Sequence, residues 1–400
     1  MTAEFEAMWS TLHEVGRDAR TGGYRRYAWT PTDHELREWF AGEASARGLD
    51  LTLDRAGNQW AWWGDPDAAA AAGGPGVVAG SHLDSVPDGG AFDGPLGVVS
   101  AFAALDLLRA RGVITRRPVG VVNFVDEEGA RFGVACAGSR LITGAMAPDA
   151  ARALRDSEGV SMSEALQAAG RRPGELGRDE EALRRVGTFV ELHVEQGRRL
   201  IDLGAPVGVA GSIWPHGRWR AVLPGEANHA GTTRIEDRRD PMLAYARLVL
   251  AARAAAVRHG TVATCGKVLV EPNGINAIAS SVTGWVDARG ASSDAVRAAV
   301  AELSVLVEAE GGTLTRESWT DETTFAPALR DRLAARLDAP VLATGAGHDA
   351  GILANAGVPT AMLFVRNPTG VSHSPAEFAE PGDCASGVEA LAAVLEDLAA

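Results

Sequence analysis

Residues 75–112 read PGVVAGSHLDSVPDGGAFDGPLGVVSAFAALDLLRARG. The opening PGVVAG is a short valine-rich run, which predicts a strand buried on both faces. The closing LGVVSAFAALDLLRARG repeats apolar residues at three and four, which predicts a helix packed against that strand. Between the two, His82, Asp84 and Asp93 stand among glycines and prolines, where regular structure has little room. In a sheet covered by helices, a strand end of this kind is where ligands gather.

The same grammar recurs outward from this stretch. RPVGVVNFVDEEG (117–129) and TFVELHVEQG (188–197) are further apolar runs that end in acids or histidine. Near-continuous apolar strands separated by helices predict an α/β fold with a mostly parallel sheet flanked by helices. From residue 207 the style changes. VGVAGSIWPHGRWRAVLPGEA (207–227) alternates apolar and polar residues, as a half-exposed antiparallel strand does. Asp240 and Pro241 suit the N-cap and first position of a long helix, and SSDAVRAAVAELSVLVEAEGG (292–312) is a second helix with a serine cap. With TVATCGKVLVEPNG, SVTGWVDARG and TLTRESWTD as strands, these make a small α+β unit. The expected organisation is 1–206 and 323–400 as one domain, with 207–322 inserted into it as a second.

Composition narrows the partners. With 400 residues the chain exceeds one typical core, and its 22% charged and 46% hydrophobic content is that of a globular protein. The net charge of −14 and the lack of a basic block argue against nucleic acid or an anionic membrane. Cys136, Cys265 and Cys384 lie far apart without a CxxC spacing, and the first residues lack a signal-peptide pattern. No apolar stretch approaches the roughly 20 residues that span a bilayer. A cytoplasmic protein is the expectation.

Four chemistry-bearing groups fall at predicted strand ends: His82/Asp84/Asp93, Glu127/Glu128, His193/Glu195 and His373. Singly, each is more often structural than functional, and His13, His34 and His259 are left in that class, while His348, in the glycine-framed TGAGHDAG at a predicted helix start, is not counted as a ligand. Jointly, strand ends of one parallel sheet converge on one rim, and histidines with acids suit a borderline divalent cation such as zinc. Two cations close together need a shared anion, and Asp93 in its glycine-framed turn has two oxygens to offer. Asp84, two residues after His82, is placed to reach the second ring nitrogen. Glu127 and Glu128 are adjacent, so both serve one site only if the chain turns between them. One would then hold metal and the other act as general base.

The segments GSHLDSVPDGGAFDGPLGV, VDEEGARFG, ELHVEQG, GEANHAGTT and GVSHSPAE resemble the metal-dependent amidohydrolases of the M20 peptidase superfamily. Within it they resemble the branch of allantoate amidohydrolases, N-carbamoyl-L-amino-acid hydrolases and β-ureidopropionases. The resemblance implies two divalent cations per subunit, Zn2+ or Mn2+, with Co2+ or Ni2+ as further candidates. One would be held by His82, Asp93 and His193, the other by Asp93, Glu128 and His373. It implies 1–206 and 323–400 as the catalytic domain and 207–322 as a lid and dimerisation domain, with Glu127 as general base and His229 as oxyanion stabiliser, presented across a homodimer. Asn276 and Arg289 would bind the substrate carboxylate, and Gln196 and Arg218 would make further substrate contacts. Two departures stand out: NAIASSVTG lacks the usual Pro-Gly after Asn276, and TTRIEDRRD lacks Pro-Met after the threonines.

The function this implies is hydrolysis of a ureido C–N bond in a small carboxylate, with allantoate first and an N-carbamoyl-L-amino acid or 3-ureidopropionate as alternatives. RNPTGVSHSPAE and GGYRRYAWT lean toward the allantoate enzymes of purine catabolism. An M20-type peptidase or deacylase, or a silent binding protein that keeps the fold, are the remaining readings.

Overall fold

The computed structural model describes residues 3–400. They form two compact units, one of residues up to 211 with 324–342 and 347–400, the other of 212–323 with 343–346.

The larger unit is built on a nine-stranded sheet. Its centre runs Val119–Phe124, Gly76–His82, Val186–Val194, Thr360–Val365, all parallel to their neighbours. Antiparallel strands flank it: Asp50–Leu53 and Gln59–Trp63 at one side, Val207–Ile213 at the other. The valine-rich strands are buried along their whole length, as burial on both faces requires. Alternate residues separate those faces. Val77, Ala79, Val121, Val190 and Leu192 join the core beneath the helices Pro95–Ala110 and Pro381–Ala399. Their neighbours His82 and His193, on the opposite parity, therefore belong to the other face.

The helix Pro95–Ala110 begins at Pro95 in the first position and is buried through most of its length. Its Gly97 lies so close to the next strand that a Cβ there would sit 2.3 Å from the Leu192 carbonyl oxygen. That contact sets the helix tightly against the sheet.

The smaller unit is a four-stranded antiparallel sheet in the order Thr313–Thr320, His216–Pro224, Ser281–Gly290, Thr261–Glu271. The helices Pro241–His259 and Ser293–Ala309 cover one face through Leu248, Ala252, Leu303 and Val307, packed on Ala221, Leu223 and Val282. Asp240 caps the first helix by accepting from the Met242 amide, and Ser292 caps the second from Ala295. A two-residue ladder joins Asn228–His229 to Ala277–Ile278.

One element lies elsewhere than the sequence pattern suggests. The alternation from Val207 reads as the first strand of the insertion, yet Val207–Ile213 pairs with Thr360–Val365 in the large sheet. The strand is not half exposed: residues 207–210 and Ile213 are buried, with Thr360–Val365 on one side and the short strands Thr323–Thr324 and Val341–Thr344 on the other, so its small residues fill a packed sheet and its alternation does not mark a solvent face.

Candidate active site

His82 and His193 are the penultimate or final residues of adjacent parallel strands, which brings them to one end of the sheet. Both are fully buried. The His82 Nδ1 lies 3.1 Å from the Asp84 carbonyl oxygen, and the His193 Nδ1 lies 2.9 Å from that of Val194. A carbonyl only accepts, so each Nδ1 carries the proton and each Nε2 is left with its lone pair. Those Nε2 atoms are buried with no aligned hydrogen-bond partner among the described residues. They face carboxylate: Asp93 Oδ1 lies 3.7 Å from His82 Nε2 and 3.0 Å from His193 Nε2. Lone pairs set against an anion are reconciled only by a proton or a cation.

The second Asp93 oxygen looks the other way. Its Oδ2 lies 3.3 Å from His373 Nε2, which is itself 3.6 Å from Glu128 Oε2. Asp93 thereby joins two groups able to hold an ion, His82/Asp93/His193 and Asp93/Glu128/His373, and Glu191/His193/His348 makes a third without it, with donor atoms of each within 4.8 Å of one another. Asp93 turns one oxygen to each of the first two. Gly94 makes this possible, at φ +86°, because a Cβ there would meet the His82 ring at 2.4 Å. His373, also at positive φ (54°), is half exposed, so the second group is the open one.

The turn required of Glu127 and Glu128 is present. The strand ends at Phe124, Asp126 takes a left-handed φ of 55°, and the Asp84 carboxylate accepts from both glutamate amides, at 3.1 and 3.0 Å. Asp84 thus does two things: it sits 3.4 Å from His82 Nδ1 and it ties down the acidic turn. Burial raises the Glu127 carboxyl well above its ordinary pKa, reinforced by Asp349, Glu128 and Asp84 against the opposing pull of His82. Burial and the Asp93 charge push Glu128 up to about 7. His373 is raised to about 9 through its bond to Asp93. For Asp93, burial is outweighed by His193, His373 and His82, which hold it well below the usual range. Crowded anions with protons held among them are what a site for cations looks like without its charge compensation.

A model of Peptidase family M20/M25/M40 matches residues 78–397. The chain belongs to that family. It is 38% identical to an N-carbamoyl-L-amino acid amidohydrolase of Geobacillus stearothermophilus over 96% of both chains. It is 34% identical to the allantoate amidohydrolase of Escherichia coli, over 97% of this chain and 96% of that one. Among solved structures, AtUAH in complex with (S)-hydroxyglycine superposes with a TM-score of 0.87 at 26% identity, covering 99% of this chain and 97% of that one.

In this M20 family member, the residues expected to meet substrate are distributed as follows. Gln196 turns onto Asp93, donating to its Oδ2 at 2.9 Å and to Ser372 Oγ at 3.1 Å. In the smaller unit, His229 and Asn276 are neighbours, because the Ala230 amide donates to the Asn276 carbonyl at 3.0 Å. Arg289 is gripped by Asp287 through Nε and Nη2 at 2.6 and 3.0 Å, and its Nη1 donates to the Gly345 carbonyl. Arg218 is exposed and reaches the same Asp287 at 3.4 Å.

Several residues around the site escaped the sequence reading. Glu377 accepts from the Phe92 and Asp93 amides, both at 2.8 Å, and from Ser372 Oγ. It joins the Asp93 loop to the His373 loop across the length of the chain. The Cys136 thiol lies 3.3 Å from Glu127 Oε1. Beneath the histidines, Glu191 accepts from Ser81 Oγ at 2.7 Å and from the Ala350 amide at 2.9 Å. Only Glu377 had a usable signal, its place four residues after His373 in SHSPAE.

Proposed function

We propose that this M20 family protein is an amidohydrolase that cleaves a ureido C–N bond in a small carboxylate, with allantoate the first candidate. The observation that carries the proposal is Asp93 turning one oxygen to each of two His-containing groups, with the His82 and His193 Nε2 lone pairs directed at that anion. His82, Asp93 and His193 would hold one divalent cation, and Asp93, Glu128 and His373 the other, zinc or manganese by donor chemistry. When bound, such a pair supplies Lewis-acid polarisation of the carbonyl and a water of lowered pKa.

The chain's own residues do the rest. Glu127 takes a proton from the attacking water as its oxygen bonds to the ureido carbon. It delivers that proton to the departing nitrogen as the C–N bond breaks. Its buried, acid-crowded setting raises its proton affinity, which suits both halves of this transfer. His229 donates to the developing oxyanion. Arg289, oriented by Asp287, and Asn276 hold the carboxylate. Allantoate hydrolysed in this way gives ureidoglycine and carbamate, and the carbamate then breaks down to ammonia and CO2.

A second substrate is favoured by the 38% identity to an N-carbamoyl-L-amino acid amidohydrolase. The two differ in the pocket they need: a second polar arm for allantoate, which Arg218 could address, against an apolar or variable side chain. We also place the protein in the cytoplasm, which three free thiols suit, and no described helix is long and apolar enough to cross a membrane. A homodimer through the smaller unit is supported by its exposed Leu243, Leu250 and Val257 beside the edge strand Thr261–Glu271.

The test is turnover of allantoate, several N-carbamoyl-L-amino acids, 3-ureidopropionate and a dipeptide after loading with zinc, manganese or cobalt. Glu127→Gln should retain metal and lose about 10²- to 10⁴-fold in kcat. Undiminished turnover by that variant would remove the assigned base, and dipeptide cleavage alone would turn the reading toward a peptidase.

A further inference from the structure

Nine residues after His229, the half-buried Arg238 points its donors at backbone rather than at acid. Its Nη2 donates to the Ala230 carbonyl at 2.7 Å, and its Nε and Nη2 donate to the Thr233 carbonyl at 3.2 and 3.1 Å. The carboxylates of the same loop, Glu236 and Asp237, face Arg234 instead, at 3.7 and 3.8 Å. On the far side of this loop, the His229 Nδ1 receives the Gly231 amide at 2.9 Å and the Thr232 amide at 3.2 Å. The His229 carbonyl in turn accepts from Thr233 Oγ1 at 2.7 Å.

We propose that Arg238 is a positioning residue which fixes the His229 ring with its proton on Nε2, by holding the Ala230–Gly231 peptide in one orientation. A trans peptide is planar, and its C=O and N–H point in opposite directions. With the Ala230 oxygen drawn to Arg238, the Gly231 N–H must point away from it, at His229 Nδ1. An imidazole nitrogen that accepts an N–H bond carries no proton of its own, so a neutral ring keeps its hydrogen on Nε2. The outward nitrogen is thereby a donor, which a group stabilising an oxyanion requires. A loop this exposed would otherwise let the peptide flip and the tautomer average. The guanidinium reaches two carbonyls at once from a rigid fork, which a lysine ammonium cannot reproduce.

This rests on the reading of His229 given above, and the experiment separates the two. Full-length metal-loaded enzyme with ¹⁵N-histidine is compared by long-range ¹H–¹⁵N spectra as wild type, Arg238→Met, Arg238→Gln and Arg238→Lys. His229→Gln identifies the ring signals by their loss. The wild type should show a protonated Nε2 and an unprotonated, hydrogen-bonded Nδ1 at His229. Arg238→Met should move both nitrogens toward the tautomer average and lower kcat about 10- to 100-fold with KM within about twofold. Arg238→Lys should recover part of both. An unchanged His229 ring spectrum in Arg238→Met would overturn the proposal, and if that variant fails to fold, the same reading in Arg238→Gln decides it. Full turnover by His229→Gln would instead remove the oxyanion role while the ring spectra still report on Arg238.

Discussion

Asp93 lies among three imidazoles, two glutamates and a glutamine, whose protons a bound cation would displace. In the metal-free protein Glu128 titrates near 7 and His373 near 9, against ordinary values of 4.5 and 6.5. Both are raised, so the folded state holds protons that the unfolded chain would release. Stability of the metal-free protein should therefore fall as pH rises, from Glu128 between about 4.5 and 7 and from His373 between about 6.5 and 9. Cation binding must expel the same protons. Affinity should climb with pH, steepest below about 7 where both groups are protonated, and level off above about 9. Calorimetric titration of the metal-free protein in buffers of different ionisation heat checks this, and pH-independent binding without proton release would contradict it. The histidines and acids themselves were legible, because each follows an apolar run in the chain. Glu377, Cys136 and Glu191 were not, since their roles depend on which strands lie side by side. Asp84 was half legible: its approach to His82 follows from spacing, but its hold on the Glu127 and Glu128 amides, 43 and 44 residues away, does not.

The strand–loop–helix element of residues 76–110 carries the strictest steric demand. Gly94→Ala would set a methyl at 2.4 Å from a buried His82 ring while forcing a side chain into φ +86°. The ring cannot yield toward solvent, so His82 should be displaced from Asp93. Metal content should fall by about half or more, while the circular dichroism spectrum stays near wild type, and a variant with full metal content would refute the argument. Elements with a distinct period or cap were readable at this level. Asp240 and Ser292 cap the helices they were expected to cap. Val207–Ile213 was not readable, because pairing partners are not written in alternation: its bond to Thr360–Val365 joins segments about 150 residues apart.

For the molecule as a whole, the smaller unit leaves apolar surface that its own core does not use. Leu250 is 71% and Val257 77% exposed on the helix Pro241–His259, next to the 11-residue edge strand Thr261–Glu271, whose outer side pairs with no strand among the described residues. Exposed apolar residues beside an open strand edge mark an association surface. Leu250→Glu should shift the protein from dimer to monomer in sedimentation or light scattering without unfolding it, and a monomeric wild type would dismiss the surface as an interface. The α/β class of the larger unit was plain from its apolar runs, whereas the neighbours of each strand came only from the coordinates.

The grip of Glu377 on the Asp93 amide spans 284 residues. Synthesis runs from the amino terminus, so the ribosome has made His82, Asp93, Glu127, Glu128 and His193 long before it makes the residue that fixes the Asp93 loop. A nascent chain stalled short of residue 377 carries the acids and histidines but not the clasp. Stray ions met during translation would find a loose trap, and selective loading would wait until Glu377 has been made.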